Sequence, residues 1–395
     1  MCPHTDQQSS AIMKHPIYLV GCKLLACRPA DSLLRAGRTL RALSALVLCT
    51  ASQANVVAQP SRGLKDAYHG HFDVGVSLSL KNLGSDEQRR LVTDNFSTVT
   101  AENAMKPASV HPHEGVYTWE AADSIANFCR QHGLRMRGHC LCWHHQFPDW
   151  MFLDSLGREV GKEVFYTRLR EHIHAVVSRY KDVVDAWDVV NEAVADGPAD
   201  VPCAYHQSKH YQLCGDEFIA RAFTYAHEAD STALLFYNDY STVDPAKRDR
   251  IVAMIRKMKA QGVPIHGLGM QAHYNIYWPG EQQLEDAIDS FAQVVDVIHI
   301  TELDVRANHE EGGQLQFSRG AAGQPDQAIL ARFDRQYASL FRVFRRHSDV
   351  IGNVTFWDLT DRDSWLGADN YPLLFDRNGK PKAAYYIVRD LGEAQ

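Results

Sequence analysis

The chain is 395 residues long with 45% apolar and 23% charged residues, too long for a small disulfide-stapled domain and too ordinary in composition for a disordered or fibrous protein. Its net charge of −7 is unevenly placed: residues 1–54 hold Lys14, Lys23, Arg28, Arg35, Arg38 and Arg41 against Asp6 and Asp31, which leaves −11 on the remainder. An acidic main domain argues against phosphate-backbone binding, so no nucleic-acid partner is expected, and no apolar run approaches the roughly eighteen residues of a transmembrane span.

At the N-terminus, Arg35, Arg38 and Arg41 precede the apolar stretch Ala42–Cys49, and Ser52 and Ala54 follow at the spacing of a signal-peptidase site. A rival export pattern starts at Met13 and ends in Leu24-Leu25-Ala26-Cys27, the form of a bacterial lipoprotein box, although Lys23 interrupts its apolar stretch. The bland reading is a disordered extension or a wrongly assigned start. Residues 1–60 are therefore expected to be an export signal or a disordered segment, with one folded domain over 61–395. Export would make the protein secreted, periplasmic or lipid-anchored at the cell surface. Nine cysteines do not make a disulfide framework in a chain of this length. Cys2, Cys22, Cys27 and Cys49 fall in the N-terminal segment, and Cys129, Cys140 and Cys142 read as small core residues. Cys203 and Cys214 flank one loop, where free thiols are favoured over a bridge.

From Lys65 onward one unit recurs: a short β-branched or aromatic run, a polar loop, then a longer segment of helical period. The runs are 72–78, 98–103, 135–141, 186–192, 233–239, 267–273, 297–303 and 354–359, and the amphipathic stretches include 162–180, 216–229, 245–261 and 327–346. Eight strands alternating with helices predict an α/β fold, and eight repeats fit a closed (β/α)₈ TIM barrel better than an open sheet. No Gly-x-Gly-x-x-Gly follows the first strand and no P-loop occurs, so no nucleotide cofactor is expected.

Barrel enzymes build their sites at the C-terminal ends of the strands. Here those ends are polar: strand two ends in Glu102-Asn103 with Lys106 just beyond, strand three carries Arg137 and His139 followed by Trp143 and His144, and strand four ends in Asn191-Glu192. Strand five ends in Asn238-Asp239-Tyr240, strand six in Gln271 and His273, strand seven in Glu302 and Asp304, and strand eight in Trp357 and Asp358. Any one of these has a structural reading as an ion pair, a helix cap or a satisfied core histidine. Seven of eight strands ending this way is hard to reconcile with stability alone, because charge at a barrel mouth is costly unless paired.

Glu192 and Glu302 each terminate an apolar strand, AWDVVNE and VIHITEL. Two carboxylates flanking one cleft are the minimum equipment for glycoside cleavage, one to protonate the leaving oxygen and one to meet the oxocarbenium-like carbon. Trp143, Tyr240, Trp278, Trp357 and Trp365 cluster just after strands, where flat rings suit the apolar faces of sugars. His139, Cys140, Cys142, His144 and His145 resemble a soft ligand set, but strand alternation turns Cys140 and Cys142 away from His139 and the spacing matches no standard zinc pattern, so no metal is expected.

The segments RGHCLCWHHQFPDW (137–150), WDVVNEA (187–193), GLGMQAH (267–273), ITELDV (300–305) and VTFWDLTDRDSWL (354–366) resemble glycoside hydrolase family 10, the endo-β-1,4-xylanases. ENAMKP (102–107), YNDY (237–240) and PLLFDRNGKPKAAY (372–385) look like the same family, and the likeness runs strand by strand from about Lys65 to Gln395. The resemblance implies a cofactor-free retaining enzyme, acting as a monomer on xylan and xylo-oligosaccharides by double displacement, with 61–395 as the catalytic domain. It implies Glu192 as acid/base and Glu302 as nucleophile. Asn191 matches the residue that bonds the sugar 2-hydroxyl, and His273, backed by Asp304, the one that orients the nucleophile. His139, Lys106, Gln271, Trp357 and Trp365 match the shell around the reacting sugar, Glu102, Asn103 and Gln146 more distal sugar contacts, and Tyr240 a stacking ring on the leaving side.

Four positions depart from the commoner pattern: Cys140 and Cys142 stand for Thr and Val, Pro107 for Trp and Asp358 for Gly. The loop from Asn308 to Pro325 follows strand seven and is expected either to shape the leaving-group side or to be an insertion. Two competing functions are another retaining barrel glycosidase such as a β-1,4-glucanase, and a catalytically inert glycan-binding barrel. The first commonly has Asn-Glu-Pro where this chain reads Asn191-Glu192-Ala193, and the second requires loss of a carboxylate that is present.

Overall fold

The computed structural model describes residues 63–307, 325–367 and 370–394. The export segment within 1–60 and all but the last residue of the 308–325 loop lie outside the described residues. Nine parallel strands run β1 (Asp73–Leu78), β2 (Thr98–Ala101), β3 (Arg135–Trp143), β4 (Val184–Asn191), β5 (Leu234–Asp239), β6 (Gly267–Met270), β7 (His273–Asn275), β8 (Val297–Arg306) and β9 (Ile351–Phe356). Strand β1 pairs with β2 and β9, and β8 pairs with β9, β7 and β6, so the sheet closes on itself. β6 and β7 are two halves of the expected sixth strand, broken at Gln271 and Ala272, the latter at φ +64. The result is the expected eight-stranded (β/α)₈ barrel with one interrupted stave.

The expected helices form over Lys162–Tyr180, Glu217–Ala229, Pro245–Ala260 and Gln327–Arg346. Their starts follow from capping chemistry: Asp244 accepts from the Lys247 amide (2.9 Å) with Pro245 at the first helical position, and Asp326 accepts from Ile329 (2.8 Å). The apolar core lies between strands and helices, with Val76, Val99, Leu235, Leu268, Ile300 and Val354 from the sheet against Phe223, Ile255, Phe291 and Phe341. The barrel interior is largely polar. Asn353 donates to Thr98 (2.8 Å), Thr355 donates to Asn353 (2.7 Å), and Arg137 packs over the Phe236 ring while forming an ion pair with Asp188.

Several strand ends differ from expectation. β2 stops at Ala101, so Glu102 and Asn103 sit in the turn beyond it, and β8 runs on through Glu302 and Asp304 to Arg306. The period-2 alternation fails at register shifts between His139 and Cys142, between Asp188 and Val190, and between Ile300 and Leu303. Cys140 is fully buried, and burial first holds its thiol well above the usual range, with the charges of Lys106, Asp188 and Glu192 also acting on it. Cys142 joins the main apolar cluster and Cys140 does not. Cys203 and Cys214 are free thiols.

Gly138 precedes His139 and lies against Trp187: a β-carbon there would come 2.1 Å from Cε3 of the indole. Trp187 is fully buried and has no room to retreat. Gly138→Ala is therefore expected to destabilise the barrel by an overpacking cost of about 1–3 kcal/mol. Thermal denaturation checks this, and an unchanged melting temperature would contradict the packing described.

Candidate active site

At the mouth, Trp143, Asn191 and Asn238 are register neighbours across β3, β4 and β5, and Gly269 of β6 is the next position. That row places one amide where it ties the site together. Asn238 Nδ2 donates to Asn191 Oδ1 (2.8 Å) and to Glu302 Oε1 (2.8 Å), while its Oδ1 accepts from Thr301 (2.6 Å). The register shift in β8 explains why Thr301 and Glu302, although adjacent, both reach Asn238. Gly269 leaves the space: a β-carbon there would sit 2.1 Å from Asn238 Oδ1.

Glu302 is buried, and His273 Nε2 lies 3.3 Å from its Oε2. His273 Nδ1 is 2.9 Å from Asp304 Oδ2, an arrangement set by the β7–β8 register, which pairs His273 with Asp304. Burial by itself would discharge the imidazole, but Asp304 and then Glu302 reverse this and raise its pKa to about 10. Burial likewise pushes the Glu302 carboxyl up. The hydrogen bond from His273 and the positive fields of His139 and His273 outweigh that, leaving it below the usual carboxylate range. His139 Nδ1 lies 4.0 Å from Glu302 Oε1 and 2.9 Å from Asp188 Oδ2. Asp188 is also paired with Arg137, whose Nε donates to His299 Nδ1 (3.2 Å). A fully buried ionic floor thus lies under the carboxylate.

Glu192 stands one residue beyond β4 at φ +56, half-buried, its backbone N–H donating to Asn238 O (2.9 Å). Its Oε1 accepts from Gln271 Nε2 (2.7 Å) and Asn191 Nδ2 (3.2 Å), and its Oε2 from Trp143 Nε1 (2.9 Å). Gln271 occupies the break between β6 and β7, and its Nε2 also reaches Asn191 Oδ1 (3.2 Å). The two carboxylates are therefore linked through a continuous set of side-chain amides, but only Glu302 is matched by a buried cation.

Around this centre Lys106 is buried, donating to Asn103 Oδ1 (2.8 Å) with its ammonium over the rings of Trp143 and Trp357. Asn103 in turn donates to Glu102 Oε1 (2.8 Å). Trp357 is buried edge-on to His139. Trp365 is 38% exposed, and its Nε1 donates to Asp304 Oδ2 (2.8 Å). Its backbone N–H donates to Asp358 Oδ2 (3.0 Å), so the Asp that stands for the family's commoner Gly fixes this ring's loop. Gln146 is exposed at φ +44, and Tyr240 is half-buried with its ring centroid 3.4 Å from Lys247 Nζ. Trp278 packs edge-on against buried Tyr274 and is not among the residues bonded to either carboxylate. Asn238, Thr301 and Asp188 were not expected as site residues. Asn238 ends an expected strand beside Asp239, but only the cross-strand register reveals what it touches. Among the described residues no group of three or more His, Cys, Asp or Glu is arranged to hold a metal ion.

A closed parallel barrel whose mouth holds one buried carboxylate charged by an imidazole, and one half-buried carboxylate bonded by an indole, defines a (β/α)₈ glycoside hydrolase. The sequence profile of glycosyl hydrolase family 10 matches residues 63–391. The chain belongs to that family. It is 58% identical over 341 residues to an endo-1,4-beta-xylanase/feruloyl esterase of Xylanibacter ruminicola, covering 84% of this chain and 47% of that protein, so it spans about half the length of that relative. An endo-1,4-beta-xylanase of Geobacillus stearothermophilus is 39% identical over 334 residues, with 82% of this chain and 97% of that one covered. The structure of a psychrophilic family 10 endo-beta-1,4-xylanase superposes with a TM-score of 0.79 at 50% identity, covering 83% of this chain and 99% of that one.

Because the His273 cation offsets the burial of Glu302, His273→Ala leaves that burial less opposed, and the carboxyl then titrates at higher pH. The acid limb of kcat/KM is expected to move to higher pH, with activity at neutral pH reduced by the loss of a charge-assisted bond of about 1.5–3 kcal/mol. A pH–rate profile in which the acid limb stays in place would remove His273 from this role.

Proposed function

We propose that this chain is a retaining endo-1,4-β-xylanase in which Glu302 is the nucleophile and Glu192 the acid/base. The observation that carries the assignment is the asymmetry of the two carboxylates. Glu302 is buried yet held in its charged form by the His273–Asp304 pair, as an attacking carboxylate needs. Glu192 meets only neutral donors, Gln271, Asn191 and Trp143, on a wall that leaves it half-exposed.

In the first step a Glu302 oxygen attacks C1 of the sugar while Glu192 gives its proton to the glycosidic oxygen, which leaves as the alcohol of the departing chain. Glu302 is then esterified and its charge is gone. In the second step Glu192, now a carboxylate, takes a proton from water as that water attacks C1, and the Glu302 carboxylate is released. Asn191 is positioned for the 2-hydroxyl, and His139, Lys106, Gln271, Trp357 and Trp365 enclose the reacting ring. Asn103, Glu102 and Gln146 extend the sugar side, with Tyr240 as a platform towards the leaving side. All these groups come from a single chain, so one copy completes the site, and the enzyme is read as acting as a monomer. Export through the basic and apolar stretch within residues 1–60, with 61–395 as the catalytic domain, fits a polymeric substrate met outside the cytoplasm.

Glu302→Ala is expected to lose activity on every substrate. Glu192→Ala loses proton donation, a factor on the order of 10²–10⁴ on xylan. It keeps the first step on aryl glycosides whose leaving group needs no proton, giving a burst followed by a stalled intermediate. Azide should restart Glu192→Ala and yield a β-glycosyl azide; a β-azide from Glu302→Ala together with an α-azide from Glu192→Ala would reverse the two roles. In the native enzyme, NMR of fresh product should show the β-anomer first, and an initial α-anomer would rule out double displacement.

Discrimination against glucan rests on crowding. Trp365 is tied to Asp304 and Asp358, and Trp357 is buried, so neither ring yields easily to an added hydroxymethyl group. Preference for xylan over carboxymethyl-cellulose of about 1–3 kcal/mol, or roughly 10–200-fold in kcat/KM, is expected. Faster hydrolysis of the glucan would replace this reading with the glucanase one.

A further inference from the structure

Behind the wall that carries Glu192 lies a buried polar chain that touches neither carboxylate. Tyr237 and Asp239 lie two residues apart on β5, on the face opposite Asn238; both are fully buried, and Asp239 is met by Lys247 of the helix Pro245–Ala260. The Tyr237 hydroxyl accepts from the backbone N–H groups of Ala193 and Val194, each at 2.9 Å, and donates to Asp239 Oδ2. One hydroxyl proton and two lone pairs are all a phenol has, and every one is used. Asp239 Oδ1 accepts from Lys247 Nζ (2.8 Å) and from the Tyr240 amide (2.9 Å). Lys247, also buried, is held in turn by Asp196 Oδ1 (2.9 Å).

The two amides that Tyr237 clamps immediately follow Glu192, which stands in the left-handed region at φ +56, a conformation unfavourable for a residue with a β-carbon. Such a turn persists only where its surroundings fix it. On the strand side the Glu192 amide is fixed by Asn238 O, and on the far side the next two amides are fixed by Tyr237.

We propose that Tyr237 is a positioning residue for proton transfer, holding the Ala193–Val194 turn so that the Glu192 carboxyl faces the leaving oxygen, with Asp239 and Lys247 as its anchor. The same anchor carries Tyr240, so the stacking ring of the leaving side and the proton donor share one fixed point. This inference rests on the assignment of Glu192 as acid/base.

The test is Tyr237→Phe, assayed for kcat/KM on aryl β-xylobiosides from a phenyl to a 2,4-dinitrophenyl leaving group, with a fluorinated xylobioside inactivator to count functional nucleophiles. Misplacing a donor by about 1 Å costs on the order of 10²-fold. The phenyl substrate should therefore slow by roughly 10–100-fold, while the dinitrophenyl substrate, whose departure needs no proton, changes by less than about 3-fold. The inactivator should still titrate a full complement of sites. Equal losses across the series, or none on the phenyl substrate, would overturn the proposal. If Tyr237→Phe does not fold, Asp239→Asn, which keeps an acceptor for the phenol but removes the charge, must show the same leaving-group pattern, and a flat response from it would overturn the proposal equally. Should Glu192→Ala itself show no leaving-group dependence, the acid/base assignment fails instead.

Discussion

A carboxylate removed from water keeps its charge only where positive charge and hydrogen-bond donors are buried beside it. Glu302 meets that condition, and much of the mouth can be read as what the condition requires. Its cation, the His273 ring, would itself be discharged by burial, so it needs Asp304. Asp304 is then bonded by the Trp365 indole, which brings an exposed ring at the mouth into the same hydrogen-bonded line as Glu302. On the other side Asn238 satisfies the second Glu302 oxygen and passes the constraint to Asn191, and through it to Glu192. The floor of Arg137, Asp188 and His139 balances a further set of charges below.

Regular strands cannot place so many groups at one level, because successive side chains point to opposite faces. The barrel departs from regularity where the site needs it. The register shift in β8 lets Thr301 and Glu302 act on one amide, that in β3 brings Cys140 under the influence of the mouth charges, and the positive φ of Glu192 turns its side chain inward from the end of β4. Such local strain costs stability and is retained because neighbouring bonds over-determine it.

These departures also mark what was legible in the sequence. Strand and helix order, barrel closure and the polar strand ends followed from periodicity and composition, and the segments around Glu192, Glu302, Asn191 and His273 carried a family likeness. Nothing in RGHCLCW announces the shifted register between His139 and Cys142. Asn238 was visible as a strand end but not as the hub, because its partners come from β4 and β8 and its space comes from the missing side chain of Gly269. In the sequence Lys247 is only a member of the amphipathic stretch 245–261, and Tyr237 only a member of the run 233–239. Both acquire meaning only when the helix is packed against β5.

The broken sixth strand has a mechanical consequence. Gly267–Met270 lies against Val297–Ile300 and closes the barrel, while His273–Asn275 lies against Asp304–Arg306 and aims the imidazole. Two separate ladders on one neighbour divide two duties that a continuous strand would fuse. The joint between them is not idle: the Gln271 side chain bonds Glu192 and Asn191, and its carbonyl accepts from the Glu302 amide. A two-residue break thus carries contacts to both carboxylates, and a change in its length would disturb both at once while the closing ladder of Gly267–Met270 stays paired.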